Sequence, residues 1–352
     1  MSLREGDVMM KDARAAALGS GAFADVREGV VLVRGAWLPA ALKIFRSRVP
    51  GAVSEARLVA ELDHAHIVKT FGHLVQSEKD VIVMELVRGG TLWSLLHGDA
   101  PLPLEHRARI VRELAGALAY LHSRGVTHAD LKPENVLLTA PLASGGACKV
   151  SDFGLAKKTG LGAAAVEGCG TLQYMAPELF DDPASKAPAA DVYALGVVIW
   201  QVYARKMPYA EHSDAFGTSP GTTKGLSTIT RRIFDKVKPH IQRGVRPSLE
   251  KLEPGTPRSV VEWMEKCWRM DPRSRPSAAD VAAAFQYGAM ITSSGGSGGG
   301  GGGGSGGRLP SVLSSAPALA STYELARFPS AAHYSSHPPG SIRGHFERMG
   351  LM

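Results

Sequence analysis

The chain has 352 residues, 44% of them hydrophobic and 21% charged, as in soluble globular proteins, and it is long enough for two lobes that share a cleft. Its net charge of +7 and pI near 9.3 would suit nucleic acid or an anionic membrane, but the Lys and Arg are scattered without a dense block, so a mildly basic enzyme with no nucleic-acid partner is expected. Three widely spaced cysteines, Cys148, Cys169 and Cys267, form no CxxC pair, which argues against a zinc site and fits a reducing, cytoplasmic setting that leaves nuclear access open.

Residues 1–14 read as an N-terminal extension. MSLREGDVMM has no apolar core of the signal-peptide kind, and Ser2 breaks the N-myristoylation pattern. Short strands with Gly-containing turns fill the next stretch, interrupted by one helix near 51–63. In LGSGAFADV, residues 18–26, Gly19 and Gly21 let backbone N–H groups approach a phosphate with no Cβ in the way. The third glycine of a GxGxxG pattern is replaced by Ala24, and a plain hairpin turn fits the same residues. AALKIF, residues 40–45, is an apolar strand with Lys43 at its centre, a costly position unless the ammonium is paired or the strand is an edge. Glu55, twelve residues on, shares a helical face with Val59 and Leu62 and can meet Lys43 across the lobe. VIVMELVRGGTL, residues 81–92, is an apolar strand that ends at Glu85 and a glycine pair.

From about residue 91 to 289 the pattern is mostly helical. Segment 104–124 carries Ile110, Leu114, Ala117, Leu118 and Leu121 at helical spacing. THADLKPENVLL, residues 127–138, gathers His128, Asp130, Lys132 and Asn135, and Asp152 of SDFG follows Asp130 by twenty-two positions. The most apolar run, Val192–Tyr203, is too short to span a bilayer and reads as a helix buried on all sides, with Asp191 opening it. Residues 211–226 read as a long surface loop. Composition changes sharply at 290: residues 290–307 form a Gly/Ser linker, and 308–352, rich in Ser, Ala and Pro, read as a disordered tail dispensable for folding.

In this order and at these intervals the motifs make residues 15–289 resemble a eukaryotic protein kinase domain. The resemblance implies an α+β, bilobal fold, with a small strand-rich N-lobe (15–86) holding one helix and a larger helical C-lobe (87–289). DLKPEN is similar to the Ser/Thr form of the catalytic loop, and GGTLWSLLH, DVYALGVVIW and CWRMDPRSRPS to the tyrosine-kinase-like group. It implies transfer of the γ-phosphoryl group of ATP, with Mg²⁺ or Mn²⁺, to Ser or Thr of protein substrates in signalling. Residue by residue, it places the Gly-rich loop of Leu18, Gly19, Ser20, Gly21, Ala22, Phe23, Ala24, Asp25 and Val26 over the nucleotide. Val26 and Ala41 would lie above the adenine and Leu137 below it, with Met84 guarding the pocket behind and the backbone at Glu85 and Val87 bonding the ring. Lys43, paired with Glu55, would hold the α- and β-phosphates. Asp130 would accept the proton of the attacking hydroxyl, Lys132 would neutralise the transferred group, and Asn135 and Asp152 would hold the metal. An internal stack would run through Val59, Thr70, His128 and Phe153, with Thr70 in place of a larger apolar residue. Arg275 would pair with Glu178 of the APE motif, Ala176–Glu178.

Ala129 departs from the family pattern, which has an Arg there that grips a phosphate on the activation segment. Between Asp152 and Gly170 the only hydroxyl is Thr159. With grip and partner both missing, the expectation is a kinase not switched by loop phosphorylation, in which Thr159→Ala is close to neutral. A scaffold that binds ATP but transfers poorly is the alternative, motivated by Ala129, Ala24 and Thr70. The full set of Lys43, Glu55, Asp130, Lys132, Asn135 and Asp152 favours the active enzyme.

Overall fold

The computed structural model describes residues 3–11, 17–20, 24–46, 59–76, 79–153, 157–158, 172–182, 187–212 and 236–286. Six strands form one antiparallel sheet: β1 (Val8–Met10), β2 (Gly19–Ser20), β3 (Ala24–Val33), β4 (Ala36–Phe45), β5 (Thr70–Gln76) and β6 (Lys79–Glu85). The order is β1-β3-β4-β6-β5, with β2 pairing β3. The long β3–β4 hairpin turns at Arg34 and Gly35, whose φ angles of 50° and 83° are those of a two-residue turn that matches strand twist. Pro39 sits in β4 just before Ala40, where the β6 ladder begins, so its missing N–H costs that ladder nothing.

Residues 3–10 belong to this sheet rather than trailing from it. Val8, Met9 and Met10 pair with Val31, Val30 and Gly29. Leu3, Val8 and Met10 are buried in one apolar cluster with Val31, Leu42, Leu74, Val81 and Val83. Gly29 makes the crossing possible, because a Cβ there would lie 2.5 Å from the Met9 carbonyl and 2.6 Å from Leu42 Cδ1. The N-lobe helix expected near 51–63 falls largely outside the described residues, which include only its end at 59–60.

The second lobe contains α1 (Leu92–Leu96), α2 (Leu104–Ser123), α3 (Pro188–Ala204), α4 (Arg258–Cys267) and α5 (Ala278–Gln286), with a further helical stretch at 236–242. The spacing-predicted residues of α2, Ile110, Leu114, Ala117, Leu118 and Leu121, are all fully buried. In α3 every residue from Ala190 to Ala204 is buried, as its unbroken apolar run requires. Gly196 lets α4 approach, since a Cβ there would stand 2.9 Å from Cys267 Cβ. Among the described residues no helix is long and apolar enough to cross a membrane.

Two small ladders lie at the junction of the lobes. β7 (Val126–Thr127) pairs with β10 (Lys157–Lys158), and β8 (Val136–Leu138) pairs with β9 (Cys148–Val150). The N-lobe loop that precedes β5 docks on β9: the Val68 N–H donates to Val150 O and the Val150 N–H donates to His66 O, each at 2.9 Å. The chain thereby fixes a cleft between the sheet and the helical lobe.

Candidate active site

The catalytic loop between β7 and β8 is built around one buried carboxylate. Asp191, in the first turn of α3, is 1% exposed. Its Oδ2 accepts the His128 N–H at 2.9 Å and lies 2.8 Å from His122 Nε2, and its Oδ1 accepts the Ala129 N–H at 2.8 Å. These bonds hold Ala129 at φ 65°, in the left-handed region that a Cβ disfavours. The turn aims the next residue, Asp130, into the cleft. His128 is fixed as well: its Nδ1 accepts the Asp130 N–H at 3.2 Å and its Nε2 meets Ser151 O at 3.0 Å, so the ring carries its proton on Nε2.

Asp130 Oδ2 accepts from Lys132 Nζ at 2.8 Å and from Asn135 Nδ2 at 2.9 Å. Its Oδ1 is buried with no hydrogen-bond partner among the described residues. A buried acceptor of this kind is costly unless something donates to it, and it is placed to receive a hydrogen bond or a proton. Asn135 also donates to Asp130 O, so its amide nitrogen is spent on Asp130 and its oxygen remains as a ligand atom. Ser151 anchors Asn135 through two bonds to its carbonyl, 2.8 Å from N and 2.9 Å from Oγ.

Lys43, on central strand β4, bonds Asp152 Oδ1 at 2.6 Å. Their side chains are 16% and 46% exposed, so the ammonium sits in the cleft wall and the carboxylate faces the opening. Glu55, the partner expected from sequence, lies outside the described residues, as do Gly21, Ala22 and Phe23 at the tip of the Gly-rich loop. Leu18, Gly19 and Ser20 are exposed on the entry to that loop, where Gly19 pairs with Val26. Ser20 Oγ donates to Asp25 Oδ1 at 2.6 Å and Arg46 Nη2 reaches the same oxygen at 3.2 Å, which together hold the Asp25 carboxyl below its usual range. The two side chains are committed to each other, so their approach to a nucleotide is through backbone. Ala24 is buried with Phe45 and Ile82, and its pairing with Phe45 puts it on the same sheet face as Val26 and Lys43.

Val26 and Ala41 lie on β3 and β4, and Leu137 on β8 is held beneath the hinge. Gly89 N–H donates to Leu138 O at 2.7 Å, Leu138 N–H to Gly90 O at 2.9 Å, and Thr91 bridges Leu137. Gly89 permits this, because a Cβ would meet Leu138 O at 2.3 Å. The Glu85 N–H is taken by Lys69 O at 2.8 Å, so an adenine contact at Glu85 falls to its carbonyl. Its carboxylate is bonded by Lys149 Nζ and the Lys69 N–H, each at 2.7 Å. Behind Met84, a cavity is lined by Lys43, Val59, Val68, Thr70, Ile82, Asp152 and Phe153. Of the expected stack, Val59, Thr70 and Phe153 share this cavity, and His128 meets the Phe153 ring edge-on at 5.1 Å. Among the described residues no cluster of three or more His, Cys, Asp or Glu can hold a metal. A cation at Asn135 and Asp152 would need further oxygens from its ligand, as a phosphate-bound Mg²⁺ does.

Arg275 anchors the APE segment as its position suggests. Nη1 and Nη2 bond Glu178 Oε1 and Oε2 at 2.7 and 2.8 Å, and the guanidinium also donates to the carbonyls of Ala189, Arg269 and Met270. Sequence reasoning noted Asp191 only as the start of a helix and missed its bonds to the catalytic loop. The available signal was one acidic residue in the first turn of an otherwise apolar helix. Tyr174, at a position that the resemblance gives to a structural residue near the substrate, has a partner the sequence did not reveal: its hydroxyl donates to Gln201 Oε1 at 2.6 Å inside the lobe.

Comparison with known proteins agrees with this geometry. A family model described as protein kinase domain matches residues 13–285. The chain is 28% identical to human receptor-interacting serine/threonine-protein kinase 1, over 66% of this chain and 34% of that protein. It is 30% identical to a putative mitogen-activated protein kinase kinase kinase 7-like protein of Drosophila melanogaster, over 65% and 54%, and 31% identical to CBL-interacting serine/threonine-protein kinase 9 of Arabidopsis thaliana, over 62% and 52%. The chain thus spans between a third and about half the length of these relatives. The two-lobed fold, the loop suspended from Asp191, and the match over residues 13–285 together establish that this chain belongs to the protein kinase domain family.

Proposed function

We propose that this protein is an ATP-dependent serine/threonine protein kinase that acts on protein substrates in signalling. The observation that carries this reading is Asp130 Oδ1, a buried carboxylate oxygen with no partner among the described residues, beside Lys132 and Asn135. The site fits ATP with Mg²⁺ or Mn²⁺: Asn135 and Asp152 offer hard oxygen ligands, and Lys43 and Lys132 offer two cations for phosphate oxygens. Bound divalent metal would neutralise charge on the phosphates. Asp130 would take the hydrogen bond of the substrate hydroxyl at Oδ1, align its oxygen with the γ-phosphorus and receive its proton. Lys132, bonded to the other oxygen, would hold that carboxylate turned toward the substrate. Met84 and the hydrogen-bonded hinge would exclude water around the adenine.

DLKPEN and the names of the relatives support Ser/Thr rather than Tyr as acceptor. Ala129 supports an enzyme whose active arrangement does not depend on activation-segment phosphate, since its backbone is held by Asp191 and its side chain offers no charge. Thr159, Thr171, the 290–307 linker and the 308–352 tail lie outside the described residues. The test is a radiolabelled-ATP assay on a peptide library with full-length protein. Lys43→Met and Asp152→Asn should each reduce transfer about a hundredfold or more with the fold intact by circular dichroism. Full activity in either variant overturns the assignment. Wild-type nucleotide binding without detectable transfer favours the scaffold.

A further inference from the structure

Glu28 ties three separate parts of the chain together, and one of them, Lys11, lies just before residue 13, where the family match begins. Glu28 Oε1 accepts from Arg88 Nη2 at 2.7 Å and from Lys11 Nζ at 2.9 Å, and Oε2 accepts from Arg88 Nη1 at 3.3 Å. Arg88 immediately follows Val87 in the hinge. Glu28 lies two residues beyond Val26 on β3, hence on the same face, and pairs with Ala41 on β4. The roof of the adenine slot and its hinge are therefore bracketed at the open edge by one carboxylate. The Lys11 N–H also donates to Glu28 O at 3.1 Å, and the strand before it, β1, is buried against the outer face of the sheet. Arg88 above all, then Lys11, holds the Glu28 carboxyl below its usual range, so it is ionised at neutral pH.

We propose that residues 3–11 form a strap that braces the nucleotide site, and that Lys11, Glu28 and Arg88 are its positioning residues, setting nucleotide affinity by fixing the roof over the hinge. The strap carries no reacting group. Loosening it lets roof and hinge separate, which weakens nucleotide binding and leaves phosphoryl transfer from the bound state unchanged. A partner that peels β1 from the sheet would lower ATP affinity by the same route. This inference rests on the kinase reading for the identity of the ligand, so its test reads binding rather than turnover.

Full-length protein, wild type and variant, is titrated with the non-hydrolysable ATP analogue AMP-PNP and Mg²⁺ by calorimetry, and the KM for ATP and kcat are measured in parallel. For partly exposed ion pairs, Glu28→Ala and Arg88→Ala should each raise Kd about two- to fivefold, and the double variant no further than either alone. Lys11→Ala should raise it less, and Val8→Asp, which unseats β1, should raise it at least as much as Glu28→Ala. KM should follow Kd while kcat holds, and Arg88→Lys should restore part of the loss. Raising NaCl to 0.5 M should weaken wild-type binding more than that of Glu28→Ala. Unchanged Kd in Glu28→Ala and Arg88→Ala, beside a wild type that binds, overturns the bracket alone, as does an additive double variant. A wild type that does not bind the analogue overturns the kinase reading and this inference with it. Should Val8→Asp fail to fold, Lys11→Ala and the salt dependence still decide.

Discussion

Replacing Asp191 by Asn tests whether the catalytic loop hangs from α3. The carboxylate accepts the His128 and Ala129 N–H groups and meets His122 Nε2, all at 2.8–2.9 Å, with 1% exposure. An amide has one oxygen for these three contacts. If it keeps the Oδ2 position, its nitrogen faces the Ala129 N–H, donor against donor, and the other bonds lose their charge assistance. Losing one charged bond at about 1.5–3 kcal/mol and weakening two more gives about 3 kcal/mol in all. For a domain of this size that lowers the thermal midpoint by roughly 6–12 °C. Without its anchor, Ala129 at φ 65° relaxes toward an ordinary backbone conformation, and Asp130 moves with it. A displacement near 1 Å there should cost kcat about a hundredfold, while nucleotide Kd changes little because Lys43 and the hinge are untouched. Ala129→Gly alone should be nearly neutral, since relief of about 1 kcal/mol of strain is offset by the entropy of glycine in the unfolded chain. The assays are differential scanning fluorimetry, AMP-PNP titration and steady-state kinetics. The reasoning fails if Asp191→Asn melts within about 2 °C of wild type and retains its kcat.

Three further outcomes follow from particular contacts. Arg275→Met leaves Glu178 and three carbonyls without their donor and should cost about 3–5 kcal/mol by urea denaturation, whereas adding Glu178→Leu should recover part of it, since the isolated charge is what costs most. Arg34→Asn places a residue tolerant of φ 50° in the β3–β4 turn and should raise stability by about 0.5–1 kcal/mol, checked by the same melt. His64 stacks on Tyr120 at 5.0 Å and its Nδ1 accepts the His66 N–H at 3.2 Å, and burial, then His66 and Lys149, keep its pKa below 6.5. Because the unfolded chain takes up that proton more readily, stability is full above about pH 6.5 and is lost as pH falls below it. His64→Phe should flatten that limb of the stability–pH curve, and an unchanged limb would place the titration elsewhere.

Much of the site was legible because kinase chemistry needs particular groups at fixed chain intervals. Asp130, Lys132 and Asn135 lie within one short loop, so their spacing alone nearly determines that they meet, and the structure joins them through Asp130 Oδ2. The apolar periodicity of α2 and the unbroken run of α3 likewise fix burial from local pattern, since each helix must hide its apolar stripe or surface. Pairings between distant segments were less accessible. Arg275 with Glu178 was readable only because the family resemblance supplied the partner. The lone acidic residue at the start of α3 marked Asp191 as unusual, but its partners, like those of Lys11 and Arg88, were not readable, because a helix-start or surface charge carries no local signal of what will face it. The same holds for residues 3–10, whose few apolar residues, Leu3 and Val8–Met10, read as an extension until β3 offers an edge to pair with and the sheet an apolar face to cover. Composition, element type and the chemistry of the catalytic loop are thus properties of the sequence, set by local spacing. Which carboxylate holds the loop in its strained turn, and which strand closes the sheet, are decided only in the folded chain, because each depends on burial and geometry that residues far apart in sequence create together.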